Sequence, residues 1–179
     1  MYGKLENLSP EALVVINELK ALNAKLESQV DMYRYDDLTT LMLRKDHSAA
    51  IREAFKTMHL HGLPFMYSIL DLNNLKKINT TQGTLMGDEY IKGVADQLIT
   101  TFKDCQIFRT GGDEFAVIRT GDCVSDFEAK LNTIDNVEYG CVCVNDTTVY
   151  PDTDSIIEAA DAIMIAKKAH SKSRRASDV

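Results

Sequence analysis

Two glycines and two acidic residues, Gly111-Gly112-Asp113-Glu114, stand between two strand-like runs, Gln106 to Thr110 and Phe115 to Thr120. A glycine pair flanked by β-branched and aromatic residues is a β-hairpin signal, with the Gly-Gly step free to take positive φ and let the backbone approach a ligand. The hairpin commits this part of the chain to an antiparallel sheet, so the rest must supply partner strands and covering helices. Phe65-Met66-Tyr67-Ser68-Ile69-Leu70-Asp71 is a nearly continuous apolar run of strand length, as expected of a central strand covered on both faces, and it ends in one carboxylate. Val137 to Val144 reads as a further strand.

Helical patterns alternate with these strands. Arg44 to His59 carries Ile51, Phe55 and Met58 on one face and is ended by Gly62 and Pro64. A short helix over Asn73 to Asn79 precedes a longer one over Asp88 to Phe102, with Gly83 and Gly87 punctuating the turn between them. A polar helix from about Ser125 to Leu131 and a final helix from Asp154 to Lys168 complete the order. This pattern predicts an α+β fold, with helices packed on a mainly antiparallel sheet.

An N-terminal helix precedes the domain. Ser9-Pro10-Glu11 places a capping hydroxyl, a proline at the first helical position and an acid at the positive end of the dipole. Ala12, Val15, Leu19, Leu22, Leu26, Gln29 and Tyr33 then recur at steps of three and four, the seam of a coiled coil. Residues 1–34 are therefore expected to form a helical stalk that dimerises; a helix folded back on its own domain is the alternative. Residues 35–175 form the globular domain and 176–179 a tail.

The chain of 179 residues holds 20 Lys+Arg against 27 Asp+Glu, a net charge of −7. That excludes a non-specific grip on nucleic acid or an anionic membrane, so an anionic ligand needs a local basic site or a metal ion. No apolar run approaches a membrane span, and Cys105, Cys123, Cys141 and Cys143 lack CxxC spacing, as expected of reduced thiols in a cytoplasmic protein. Cys141 and Cys143 share one strand face and are expected to fill core, and the four histidines to lie on the surface.

The chemistry is carried by acidic strand ends. If the strand ending at Asp71 neighbours the hairpin, Asp71, Asp113 and Glu114 converge at one edge of the sheet. Two carboxylates about 4 Å apart repel by about 4 kcal/mol at an effective dielectric of about 20, so such a cluster calls for a cation. Hard oxygen donors without His or Cys point to Mg²⁺ or Mn²⁺, which complete their shell with water and substrate phosphates.

Arg109-Thr110-Gly111-Gly112-Asp113-Glu114-Phe115 contains a full GGDEF signature, and Asp71 through Asn79, with Gly83 and Gly87-Asp88, is similar to the D-x-[DN]-x-[FL]-K-x-[IL]-N-x₃-G-x₃-G-D segment of the same family. Asp36-x-Leu38-Thr39-x-Leu41 with Arg44, and Ala160-Asp161 with Lys168, extend the match over about residues 35 to 175. The chain thus resembles the GGDEF domains, and the resemblance implies a ferredoxin-like nucleotidyl-cyclase fold. It further implies a diguanylate cyclase that condenses two GTP to cyclic di-GMP and two pyrophosphates across a homodimer. By this resemblance Asp71, the Leu72 carbonyl and Asp113 are the metal ligands for two Mg²⁺ or Mn²⁺ ions, and Asp113 with Glu114 is catalytic. Asn79 and Asp88 read the guanine edge, which suits an Asp acceptor beside an Asn that both donates and accepts. Lys76, Lys168 and Lys172 contact phosphates, and Gly111 and Gly112 approach the substrate.

Thr40, Leu43, Thr80, Thr84, Ile165 and Ser171 depart from the usual family residues, and Lys172 replaces a frequent Arg. The product-inhibition motif RxxD would need Arg at Phe102 and Asp at Cys105, so feedback through that site is not expected. A catalytically silent GGDEF domain, acting as a GTP-binding or protein-interaction module, is the alternative function.

Overall fold

The computed structural model describes residues 9–32, 34–121 and 124–177, with the side chains at 28, 30–32, 124–125 and 171–177 outside the described set. The chain divides into two compact units, Met1–Tyr35 and Asp36–Val179. The first contains helix α1 (Pro10–Met32). Its cap forms as the sequence demands, the Ala12 N–H donating to Ser9 Oγ at 3.2 Å. Val15, Leu19, Leu22 and Leu26 of the heptad seam are all exposed on it. Tyr33, the last seam position, lies outside the described residues.

The second unit is a five-stranded sheet with helices on both faces. Strands β1 (Met42–Leu43), β2 (Phe65–Leu72), β3 (Gln106–Arg109), β4 (Glu114–Thr120) and β5 (Val137–Val144) stand in the order β1-β3-β4-β2-β5. All pairings are antiparallel except β1 with β3. β2 is interior and covered on both faces, which is why it reads as an unbroken apolar run rather than an alternation. Met66, Leu70 and Leu72 pack with Ile91, Val94 and Leu98 of helix α4 (Thr84–Thr101) and with Phe127 and Leu131 of α5 (Val124–Leu131). Phe65 and Tyr67 pack on the opposite face with Ile51, Ala54 and Met58 of α2 (Arg44–His61) and with Ile156 and Ala160 of α6 (Thr153–Ser177). Each large apolar side chain buried here contributes about 1.5–3 kcal/mol.

Close approach of α6 to the sheet depends on Gly140, where a Cβ would overlap the Ala160 carbonyl oxygen. Cys141 and Cys143 pack against the first core cluster as expected. Among the described residues Cys105, Cys141 and Cys143 are in no disulfide, and burial pushes the Cys141 thiol up to about 12; Cys123 lies outside the described residues.

Several boundaries differ from the sequence expectation. The short helix α3 spans Leu75–Gln82 rather than Asn73–Asn79, because Asn74 takes φ 64° and cannot be helical. α4 begins at Thr84, just after Gly83 at φ 89°, so Gly87 lies inside the helix instead of before it. α6 continues past Lys168 to Ser177, with no glycine or proline in that stretch to stop it. The two-residue β1 was not expected at all, being too short to carry a pattern. His47 corrects the reading of the histidines as surface residues: it is buried beneath the sheet, with Nε2 3.1 Å from Tyr67 Oη and its ring edge-on to Phe108.

Candidate active site

Asp71 closes β2 and pairs in register with Glu114 on β4 and with Glu138 on β5. Cross-strand partners share a sheet face, so three acidic residues stand abreast on the face covered by α2 and α6. Glu138 was missed by the sequence reading, because only the register of β5 against β2 brings it beside Asp71. The hairpin tip is tied to the end of β2 by the Leu72 N–H, which donates to the Asp113 carbonyl at 2.9 Å. The loop that follows is pinned by Asn73 N–H to the Asn136 carbonyl at 2.8 Å and by Tyr90 Oη to the Asn73 carbonyl at 2.8 Å.

β2 and β4 are neighbours, as the convergence of Asp71, Asp113 and Glu114 at one edge of the sheet required: Asp71 stands opposite Glu114, and the Asp113 carbonyl is bonded to the end of β2. Among the described residues no group of three or more His, Cys, Asp or Glu side chains is placed to hold a metal ion. Asp71 is instead paired with Lys168 from α6, Nζ to Oδ1 at 2.8 Å, each side chain less than a third exposed. Repulsion among the strand-end acids is relieved by a lysine, while Glu114 turns its carboxylate toward Gly111. The chemistry of the donor set nonetheless fits a divalent ion: Asp71, Asp113 and the Leu72 carbonyl are hard oxygens on adjoining strand ends, and a cation already lies on one of them.

The sequence suggests positive φ at Gly111 and Gly112, but neither takes it; among the described residues the glycines that do are Gly62, Gly83 and Gly121. Gly111 answers a different demand, since a Cβ there would come within 2.7 Å of Glu114 Oε2. The turn is closed by the Thr110 N–H donating to the Glu114 carbonyl at 2.9 Å.

Arg109, the first residue of the signature segment, holds the hairpin to the opening turn of the domain. Its Nη1 donates to Asp36 Oδ1 at 2.8 Å and its Nη2 to the Gly112 carbonyl at 2.8 Å. Asp36 Oδ1 also accepts from the Thr39 N–H at 2.9 Å and from Thr39 Oγ1 at 2.7 Å. Burial alone would raise the Asp36 pKa, but the Thr39 hydrogen bonds and the Arg109 charge outweigh it and hold the carboxyl below its ordinary value.

The base-reading candidates lie on the paired helices α3 and α4. Asn79 lies against Gly87, the residue before Asp88, and its Oδ1 is buried without a hydrogen-bond partner. Lys76 is exposed on α3. The Lys172 side chain lies outside the described residues. Between α2 and α6 lies a cavity of about 300 Å³ with Arg44, His47, Tyr67, Glu114 and Asp161 on its walls. Burial, with the Arg44 charge adding to it, lowers His47 to about 4, so this imidazole is neutral at pH 7.

The site is thus an acidic hairpin turn bonded to the tip of a carboxylate-ended central strand, on a helix-covered and mainly antiparallel sheet. Residues 33–130 match the family described as diguanylate cyclase, GGDEF domain, and the chain belongs to that family. Diguanylate cyclase DgcS of Shewanella oneidensis is 30% identical over 129 residues, covering 68% of this chain and 44% of the relative. Cyclic di-GMP phosphodiesterase NbdA of Pseudomonas aeruginosa is 32% identical over 127 residues, covering 70% of this chain and 15% of the relative. The chain therefore spans less than half the length of either. Its fold is similar to the coiled coil and GGDEF domain of DgcB from Caulobacter crescentus in complex with c-di-GMP. That likeness has a TM-score of 0.80 and 24% identity, over 91% of this chain and 96% of that one. Among the described residues no helix is long and apolar enough to cross a membrane.

Proposed function

We propose that this domain is an active diguanylate cyclase of the cytoplasm, joining two GTP into cyclic di-GMP with release of two pyrophosphates. The observation that carries the reading is the intact Gly111-Gly112-Asp113-Glu114 turn bonded through the Asp113 carbonyl to the amide of Leu72, next to Asp71. In this reading Asn79 and Asp88 bind the guanine edge, with the unpartnered Asn79 Oδ1 awaiting a donor. Lys76, Lys168 and Lys172 neutralise phosphates as point charges. Gly111 and Gly112 keep the hairpin free of side chains at the substrate, and Glu114, exposed at the tip, accepts the proton of the 3′-hydroxyl.

Asp71, Asp113 and the Leu72 carbonyl would hold Mg²⁺ or Mn²⁺, two per site, which would supply neutralisation of the leaving pyrophosphate and acidification of the attacking hydroxyl. Lys168 then leaves Asp71 and turns to the triphosphate. Each site takes one GTP, so the two halves of the product meet only when two copies face each other. The exposed Val15, Leu19, Leu22 and Leu26 row of α1 supports a homodimeric coiled coil that raises the local concentration of the second site.

A catalytically silent module is the second reading, and the Lys168–Asp71 pair favours it, because a lysine then takes the cation's place permanently. Incubation with GTP and Mg²⁺, followed by mass-resolved product analysis, separates the two. Cyclic di-GMP is the expected product; retained GTP with no product assigns the silent module.

A further inference from the structure

Lys168 is seated on a residue that the metal reading needs. Its Nζ stands 2.8 Å from Asp71 Oδ1, and the two side chains are 29% and 23% exposed, so the pair is held away from much of the solvent that weakens surface ion pairs. Asp71 is also the middle member of the acidic row, opposite Glu114 on β4 and Glu138 on β5. The ammonium group thus lies where a divalent cation would be drawn. Lys167, next to it on α6, is engaged elsewhere: its Nζ lies 3.5 Å from the centroid of the Tyr139 ring and 3.5 Å from Glu128 Oε1. The two adjacent charges serve different carboxylates, and that of Lys168 falls on the strand end.

This placement treats two forms of the same metal ion differently. A free divalent ion reaching Asp71 must displace the ammonium and leave it partly buried without a counter-charge, which is unfavourable. With an ion carried on a phosphate chain, Asp71 exchanges one cation for another while the displaced ammonium turns to phosphate oxygens beside it. One charge pair is broken in the first case and replaced in the second. If the pair only fastened α6 to β2, its loss would lower stability in every condition and leave metal affinity unchanged.

We propose that Lys168 is a specificity-determining residue: as the resident counter-ion of Asp71, it makes the site discriminate against a free divalent ion and in favour of one delivered with a phosphate-bearing ligand. The inference rests on the metal-site reading above, in which Asp71 is a ligand, and adds to it a coupling. Ion and phosphate each favour the binding of the other because both act on one lysine.

The test uses the full chain and Mn²⁺ without nucleotide, the free ion being counted by its paramagnetic resonance signal. Lys168→Met should bind Mn²⁺ about tenfold more tightly than wild type, and Lys168→Gln, a second neutral side chain, should do the same. Lys168→Arg keeps the cation and should bind no more tightly than wild type. Lys167→Met removes a charge one residue away without touching Asp71 and should leave Mn²⁺ affinity near that of wild type, which separates the pairing from net charge. Adding Asp71→Asn to Lys168→Met should abolish the gain. Melting temperature gives an independent readout. In chelator Lys168→Met should melt below wild type and Mn²⁺ alone should restore it, whereas wild type should respond to Mn²⁺ mainly when GTP with a methylene between its α- and β-phosphorus atoms is also present. Equal Mn²⁺ affinity in wild type and both neutral variants would overturn the inference, as would a gain that survives Asp71→Asn. Absence of any Mn²⁺ effect on the melting of wild type and Lys168→Met, even with the GTP analogue, would instead overturn the metal-site reading, and this inference with it.

Discussion

Asp36→Asn tests whether the opening turn of the domain holds the signature hairpin in place. The substitution keeps the shape of the side chain but removes the charge on which Arg109 Nη1 sits at 2.8 Å and weakens the acceptor for both Thr39 donors. The two side chains of the ion pair are only 13% and 19% exposed, so solvent screens the loss poorly. One charge-assisted hydrogen bond in such surroundings is worth about 1.5–3 kcal/mol, and a partly buried guanidinium left short of a partner adds to the loss. We expect a total of about 2–4 kcal/mol at pH 7, or about 4–16 °C in melting temperature for a domain of this size.

The pH dependence has a definite sign. Asp36 has a depressed pKa in the folded chain, so its contribution is present above the ordinary carboxyl value of 3.8 and is lost as pH falls through the folded value. The stability gap between wild type and Asp36→Asn should therefore be constant from pH 7 to about 5 and close below pH 3.8. Urea unfolding at several pH values reads both quantities. A gap under about 0.5 kcal/mol at pH 7, the scale of an exposed pair, would refute the anchoring argument, as would a gap that widens on acidification.

Asp113→Ala should abolish cyclic di-GMP formation while leaving the melting temperature within a few degrees of wild type, because the bond to Leu72 uses the backbone carbonyl, which alanine keeps; thermal unfolding and product analysis check both halves. His47→Gln keeps a partner for Tyr67 without the titration. Since the His47 pKa lies at about 4 against the usual 6.5, the folded state resists protonation and wild type loses stability as pH falls from 6.5 to 4. Wild type should lose about 3 kcal/mol more than the variant over that window, measured by urea unfolding. Isothermal titration with cyclic di-GMP should show no tight binding that depends on Phe102 to Cys105, since neither an Arg at 102 nor an Asp at 105 is present.

Much of the fold was legible because its strongest signals are local. Phe65 to Asp71 reads as a central strand since both its faces are covered, and β5 has the expected bounds, Val137–Val144. The hairpin follows from its glycine pair and flanking residues. Helix ends were less legible where they turn on single backbone conformations: Asn74 at φ 64° moves the start of α3, and Gly83 at φ 89° moves the start of α4. Motif letters located the signature but not the reason for its glycines. Gly111 makes room for Glu114 and Gly87 for Asn79, both contacts between residues whose proximity only the folded chain defines. The Lys168–Asp71 pair and the placement of Glu138 beside Asp71 depend on tertiary register in the same way, and no pattern within one segment announces either.

The central claim is that two copies of this domain join two GTP molecules. Product analysis after incubation with GTP and Mg²⁺, over a range of protein concentrations, tests it most directly. The account predicts cyclic di-GMP and pyrophosphate in a one-to-two ratio, with specific activity rising as the chain is concentrated and then levelling off when the dimer is fully formed. Absence of cyclic di-GMP at the highest concentration, with GTP still bound, would contradict it.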